Sequence, residues 1–156
     1  MAAGARKLAR GAARIYAVDV GHDQLAPTIA NDERVVDLSG TNARTLTSAE
    51  IPVPIDVVSC DVSFISSLKV LAPALGFLRI GGWFVTLIKP QFELWPEALN
   101  DHGIVIDSKH REYAVNQVRL WFISQNSYDM QDTKSSPLYG KDGNQEFLLV
   151  GRKIAS

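Results

Sequence analysis

The sequence predicts an α/β protein built as a doubly wound, largely parallel sheet with an antiparallel finish. Three observations point there. Short apolar runs alternate with segments of helical spacing along most of the 156 residues, as strands joined by crossover helices do. Two of those runs, residues 55–60 and 83–88, are mostly apolar, which suits strands buried on both faces. The last two strand patterns are separated by turn residues instead of a helix, so they pair antiparallel.

The elements follow in order. Residues 3–12 are rich in Ala, Arg, Lys and Leu and read as a helix end, with Gly11 as the glycine after its last turn. Residues 14–20 read as a buried strand ending at Asp19. Residues 24–31 suggest a short helix, with Asp23 as N-cap and Pro27 in the first turn. Residues 34–38 form another short strand. Thr47 and Glu50 have capping-box spacing and suggest one helical turn. The strand at 55–60 ends at Asp61. Leu68, Leu71, Leu75 and Leu78 recur at helical spacing and predict a helix over 66–78, with Gly81 and Gly82 as its stop.

The strand at 83–88 then runs into Lys89. Residues 93–103 hold Pro96, Asn100 and Gly103 and read as a loop. Residues 108–126 predict the longest helix, with Tyr113, Val115, Val118, Leu120, Trp121 and Phe122 on or near its inner face. Residues 127–137 form a polar strand, 138–144 a turn, and 146–150 the last strand.

The totals bound the function. The length suits one domain, residues 1–156, with a real core. A net charge of −1 gives no global argument for nucleic-acid binding, so any basic patch has to be local. The single cysteine, Cys60, excludes an internal disulfide and fits a reducing compartment. No apolar run reaches the length of a membrane span. The first ten residues are basic and Ala-rich, lack the apolar core of a secretory signal and are short for a transit peptide.

Four charged residues stand at strand ends. Open α/β sheets bind ligands at the carboxyl ends of their strands. Asp19 is either an acid for ribose hydroxyls or a turn aspartate before Gly21. Asp61 is either a site carboxylate or the N-cap of the next helix, a role that Ser63, Ser66 or Ser67 could also fill. Lys89 follows six uncharged, mostly apolar residues, and Pro90 keeps it extended. Glu146 opens the last strand, where a glutamate is usually just solvated. If Asp61, Lys89 and Glu146 converge, two carboxylates flank one amine. Such a group orients a hydroxyl nucleophile and offsets the charge it develops. His22, His102 and His110 have no metal-ligand spacing, so no metal is expected. Gly81 and Gly82 have the wrong polarity for a phosphate loop.

Several stretches together resemble the TlyA family, a branch of the FtsJ-like rRNA 2′-O-methyltransferases with some members called hemolysins. They are RGAARIYAVDVGHDQL, TNAR at 41–44, IDVVSCDVSFIS, LIKPQFE, DHGIVID followed by a helix, and SSPLYGKDGNQEF. They occur in family order from about residue 10 onward. The resemblance implies a Rossmann-like S-adenosylmethionine methyltransferase fold and a Lys-Asp-Lys-Glu tetrad. It places the tetrad Asp at Asp61, the second Lys at Lys89 and the Glu at Glu146. It places cofactor binding at Asp19, Val20 and Asp61.

The family's first strand and glycine-rich Ser-Thr-Gly-Gly-Phe-Thr loop have no match here, so the fold is expected to be incomplete at its N-terminus and cofactor binding is in question. Lys7 either matches the first tetrad lysine or is a solvated residue of a helix end, which leaves RGA at 10–12 in its usual place. A sheet lacking that strand would need a partner chain, a dimer or a rearranged N-terminus. The implied partner is ribosomal RNA or a ribosomal subunit, in the cytoplasm and away from membranes. The alternative is an inactive homologue that binds RNA or the ribosome. Membrane lysis has only the family label behind it.

Overall fold

A computed structural model describes Leu8, residues 10–140 and residues 142–156. The chain divides into two compact units, residues 1–53 and 54–156. Lys7, in both of its readings, lies outside the described residues.

The N-terminal unit holds a two-stranded parallel sheet. Strand β1 (Ile15–Asp19) pairs with β2 (Val35–Ser39), with Asp19 opposite Ser39. Helix α1 (Pro27–Ala30) is one turn long, shorter than expected. Ala26, not Asp23, is its N-cap. Asp23 sits at φ 58°, a turn conformation that an aspartate tolerates better than most residues. Gly11 has φ +87°, and its N–H donates to the Leu8 carbonyl at 3.1 Å, as a post-helix glycine does. The Thr47 and Glu50 box forms as an isolated turn. The Thr47 N–H donates to Glu50 Oε2 at 2.8 Å, and Thr47 Oγ1 accepts from Ala49 N–H at 3.1 Å.

The C-terminal unit holds a four-stranded sheet in the order β3-β4-β6-β5. These are β3 (Ile55–Cys60), β4 (Leu78–Ile88), β5 (Tyr128–Tyr139) and β6 (Gln145–Lys153). Strands β3 and β4 are parallel, and β6 runs antiparallel to both β4 and β5. The antiparallel finish therefore matches the expectation. Among the described residues no ladder joins β1 to β3, so the expected single sheet is two sheets.

Helix α2 (Ser67–Gly76) and helix α4 (Ser108–Ser124) flank this sheet in sequence, and the turn α3 (Pro90–Glu93) follows β4. Leu71, Leu75, Val115, Val118 and Phe122 from the two long helices pack with Phe84, Ile88 and Leu149 in one buried cluster. Phe84 stacks on Phe122 at 4.4 Å between ring centroids, and Tyr128 meets both rings edge-on. Each of these side chains contributes roughly 1.5–3 kcal/mol by burial.

Two further expectations are corrected. Gly81 and Gly82 do not stop the helix; they lie inside β4, and the helix ends earlier, at Gly76. The register of β3 on β4 shifts there, from Ile55 opposite Leu78 to Val57 opposite Trp83. Gly81 takes φ +80°, and a Cβ on Gly82 would meet the Asp56 carbonyl at 3.0 Å. The pair is a bulge that only glycine fits. Tyr113 and Leu120 are exposed, while Ala114 joins the buried face of α4. The helical spacing holds, but the inner face is narrower than expected.

Candidate functional site

Side chains alternate along β4, so Phe84, Thr86 and Ile88 point into the core and Lys89 emerges on the opposite face. Pro90 follows at once, opens α3 and is buried. Lys89 is thereby held extended, at φ −111° and ψ 98°. The parallel pairing of Cys60 with Thr86 sets the carboxyl ends of β3 and β4 side by side. Asp61 stands just past the first and Lys89 just past the second.

The result is a close pair. Lys89 Nζ lies 2.7 Å from Asp61 Oδ1, and it also donates to Ser63 Oγ at 3.0 Å. The lysine side chain is 13% exposed, the aspartate 71%. A shielded ammonium is thus anchored to a solvated carboxylate. One face of it is held, and little of it is free to wander.

Glu146 stands near this pair, close enough to feel both charges, but no salt bridge joins it to Lys89. Strand β6 pairs Phe147 with Ile88. Continuing that antiparallel register by one residue sets Glu146 opposite Lys89, on the same face of the sheet. Glu146 is 8% exposed. Its carboxyl titrates above the usual glutamate range because burial penalises the charged form. The nearby Lys89 charge opposes that shift, and the Asp61 charge adds to it. The buried Cys60 thiol is pushed up to about 11, chiefly by desolvation, so it stays protonated and is no nucleophile at neutral pH.

Asp19 and Val20 belong to the N-terminal unit. Asp19 Oδ1 accepts from Gly21 N–H at 2.8 Å, the contact of a turn aspartate. Both residues are exposed. An exposed carboxylate beside an exposed apolar side chain at a strand's carboxyl end has the chemistry for ribose hydroxyls and an adenine edge.

Three contributors carry no clear signal in the sequence. Ser63 reads there only as a possible cap, and it is a partner of Lys89. Glu93 reaches back across 26 residues, where its Oε1 accepts from Ser67 N–H at 2.7 Å and from Ser67 Oγ at 2.8 Å. It satisfies the start of α2, a job that neither Asp61 nor Ser66 performs. Glu93 thus ties the segment after Lys89 to the helix after Asp61. Glu93→Ala is expected to lower stability by about 2 kcal/mol, as loss of charge-assisted bonds at a helix start does; urea denaturation measures it.

Phe64 is the third. It is 91% exposed, sits at φ 65°, and its ring lies 5.3 Å from that of Phe92, which follows Lys89 in α3. An aromatic residue in the left-handed region costs about 1 kcal/mol. It stands three residues from Asp61 and one from Ser63. Among the described residues no group of three or more His, Cys, Asp or Glu side chains is placed to hold a metal ion. No described helix is long and apolar enough to cross a membrane.

Comparison with known proteins identifies the lineage. The family model described as FtsJ-like methyltransferase matches residues 5–153. A 16S/23S rRNA (cytidine-2′-O)-methyltransferase TlyA of Mycobacterium tuberculosis is 40% identical over 142 residues, which is 91% of this chain and 53% of the relative. The chain thus spans about half the length of that curated relative. A solved Streptococcus thermophilus structure that carries a hemolysin label superposes with a TM-score of 0.88 at 34% identity, over 96% of this chain and 54% of its own. The N-methyltransferase NodS of Bradyrhizobium japonicum, solved with S-adenosyl-L-homocysteine, gives a TM-score of 0.56 at 14% identity, over 96% of this chain and 71% of its own. At that identity the likeness is of fold, a Rossmann-like methyltransferase fold.

Proposed function

The chain belongs to the FtsJ-like methyltransferase family, and on that premise we propose that it is the methyltransferase portion of an S-adenosylmethionine-dependent rRNA ribose 2′-O-methyltransferase. The observation that carries the reading is the Lys89–Asp61 pair at 2.7 Å, with Glu146 in register beside it. This is an acceptor-side arrangement. A ribose 2′-hydroxyl is a poor nucleophile until charge can build on its oxygen. The Lys89 ammonium offsets that charge, and Asp61, Ser63 and Glu146 orient it. With a methyl donor bound, the oxygen–carbon bond would form as the donor's sulfur–carbon bond breaks to leave a neutral thioether, and the hydroxyl proton would pass to water.

S-Adenosylmethionine, when bound, supplies an electrophilic methyl group. Asp61 is assigned to the cofactor side of the pair; within the N-terminal unit, Asp19 and Val20 are the candidates for ribose hydroxyls and an adenine edge. Residues 1–156 are taken as one domain, acting on rRNA or a ribosomal subunit in the cytoplasm. The test is direct. Full chain, labelled S-adenosylmethionine and ribosomal subunits should give label in rRNA, with ribose as the site. Absence of label together with no calorimetric heat for the cofactor would sink the activity. RNA binding that persists in that case points to the inactive homologue.

Phe64 is suited to stack on a base of the acceptor strand, because every base offers a π-face. Phe64→Ala is expected to leave the melting temperature unchanged or slightly raised. It should weaken RNA binding by about 1–3 kcal/mol, read by fluorescence anisotropy. Unchanged RNA affinity would remove Phe64 from the site.

A further inference from the structure

Glu146 is held by more than its ladder. Two residues before it, Asn144 is 2% exposed. Its Oδ1 accepts from Val105 N–H at 3.0 Å, and its Nδ2 donates to the Gly103 carbonyl at 3.0 Å. The side-chain amide therefore serves two backbone groups of a loop 39 and 41 residues upstream. It takes the place a peptide unit would fill in a strand ladder.

That loop is itself pinned. Asn100 Oδ1 accepts from His102 N–H at 3.0 Å and Ile104 N–H at 2.9 Å. Arg111, on α4, donates to the Val105 and Ile106 carbonyls at 2.7 Å each. On the other side, the Asn144 carbonyl accepts from Gly140 N–H at 2.8 Å, closing the turn that leads into β6. The Glu146 carboxyl packs against Gly140, where a Cβ would come within 2.7 Å of Oε1. Glu146 is thus backed by a bare glycine in a turn that the β5–β6 ladder closes and that the Asn144 amide ties to the upstream loop.

We infer that Asn144 is a positioning residue, whose amide clamp sets the Gly140–Asn144 turn and through it aims the Glu146 carboxylate at Lys89. The inference rests on the reading of Lys89 and Glu146 as acceptor-side groups. It assigns a role to a residue that touches none of the reacting atoms. The same logic gives Gly140 its role, since only a hydrogen side chain leaves the carboxylate its place.

The experiment compares three variants of the full chain, with rRNA and labelled S-adenosylmethionine as probes. Asn144→Ala and Gly140→Ala should each lower kcat by about 10²-fold, the usual cost of displacing a reacting group by about 1 Å. KM for RNA and cofactor affinity should stay within about twofold, because neither residue meets a ligand. Asn100→Ala loosens the same loop without touching the turn. It should lower the melting temperature about as much as Asn144→Ala and leave kcat within about twofold of wild type. Carboxyl NMR adds a readout independent of turnover: the Glu146 titration should move in both Asn144→Ala and Gly140→Ala, because burial and the Lys89 charge act on it in opposite directions and both depend on where the carboxylate sits.

Equal kcat losses in Asn100→Ala and Asn144→Ala would overturn the inference, as would an unmoved Glu146 titration in both turn variants. If wild type transfers no methyl group, the proposed function has failed, and the titration alone still decides whether Asn144 sets Glu146.

Discussion

Lys89→Met should abolish most methyl transfer, by about 10²- to 10³-fold in kcat, while the protein stays folded. The size follows from removing one preorganised charge from the place where the hydroxyl oxygen becomes negative. Retention of the fold follows from exposure. Deleting the lysine leaves Asp61, which is 71% exposed and hydrated without its partner, and the buried Glu146, whose carboxyl already titrates high and takes up a proton instead of standing as a stranded charge. Methionine keeps the apolar stem that packs under the ammonium. Arginine should not rescue, because its planar fork cannot meet Asp61 and Ser63 and still present one compact charge. Label transfer to rRNA and thermal melting read both halves. Near-normal transfer by Lys89→Met would remove the lysine from the mechanism. Wild-type RNA affinity in the variant is expected, since the lysine acts on one oxygen.

Glu146→Gln should lose activity and gain stability, with the gain confined to higher pH. The sign comes from the raised carboxyl pKa. A group that titrates higher in the folded than in the unfolded chain binds more protons when folded. Stability therefore falls as pH rises from the ordinary glutamate value through the folded one, and the cost stays at neutral pH. Glutamine keeps the shape and cannot ionise. Urea denaturation should show variant and wild type nearly equal at about pH 4, with the variant more stable at about pH 7.5. Methyl transfer should fall by about tenfold or more, because Lys89 loses one of the groups that orient it. A variant that is less stable at both pH values would overturn the picture of Glu146 as a costly carboxylate kept for its function.

Both expectations rest on residues that are visible as oddities in the chain. Lys89 stands out because a lysine ends an apolar run, and Asp61 because it ends another. Their contact at 2.7 Å is what parallel pairing of adjacent strands produces, so the juxtaposition is legible once the strands are. Glu146 is less so, since its place depends on the register of β6 on β4, and register is set by packing of alternate faces. Phe64 carries no signal, because a lone phenylalanine in a loop reads as core until its φ and exposure are known. Gly81 and Gly82 mislead for a related reason. Glycine marks both helix ends and bulges, and only the carbonyl of the neighbouring strand decides between them.

The sequence by itself determined the alternation of strands and helices, the antiparallel finish, and the identities of the charged residues at strand ends. These follow from local periodicity and from the few residue types that tolerate a strand terminus. The tertiary structure alone decided that Ser63 and Asp61 share one ammonium, that Glu93 starts the helix 26 residues before it, and that Asn144 grips a loop far upstream. Those contacts join positions distant along the chain. Their energies depend on burial and on hydrogen-bond geometry that no local pattern encodes.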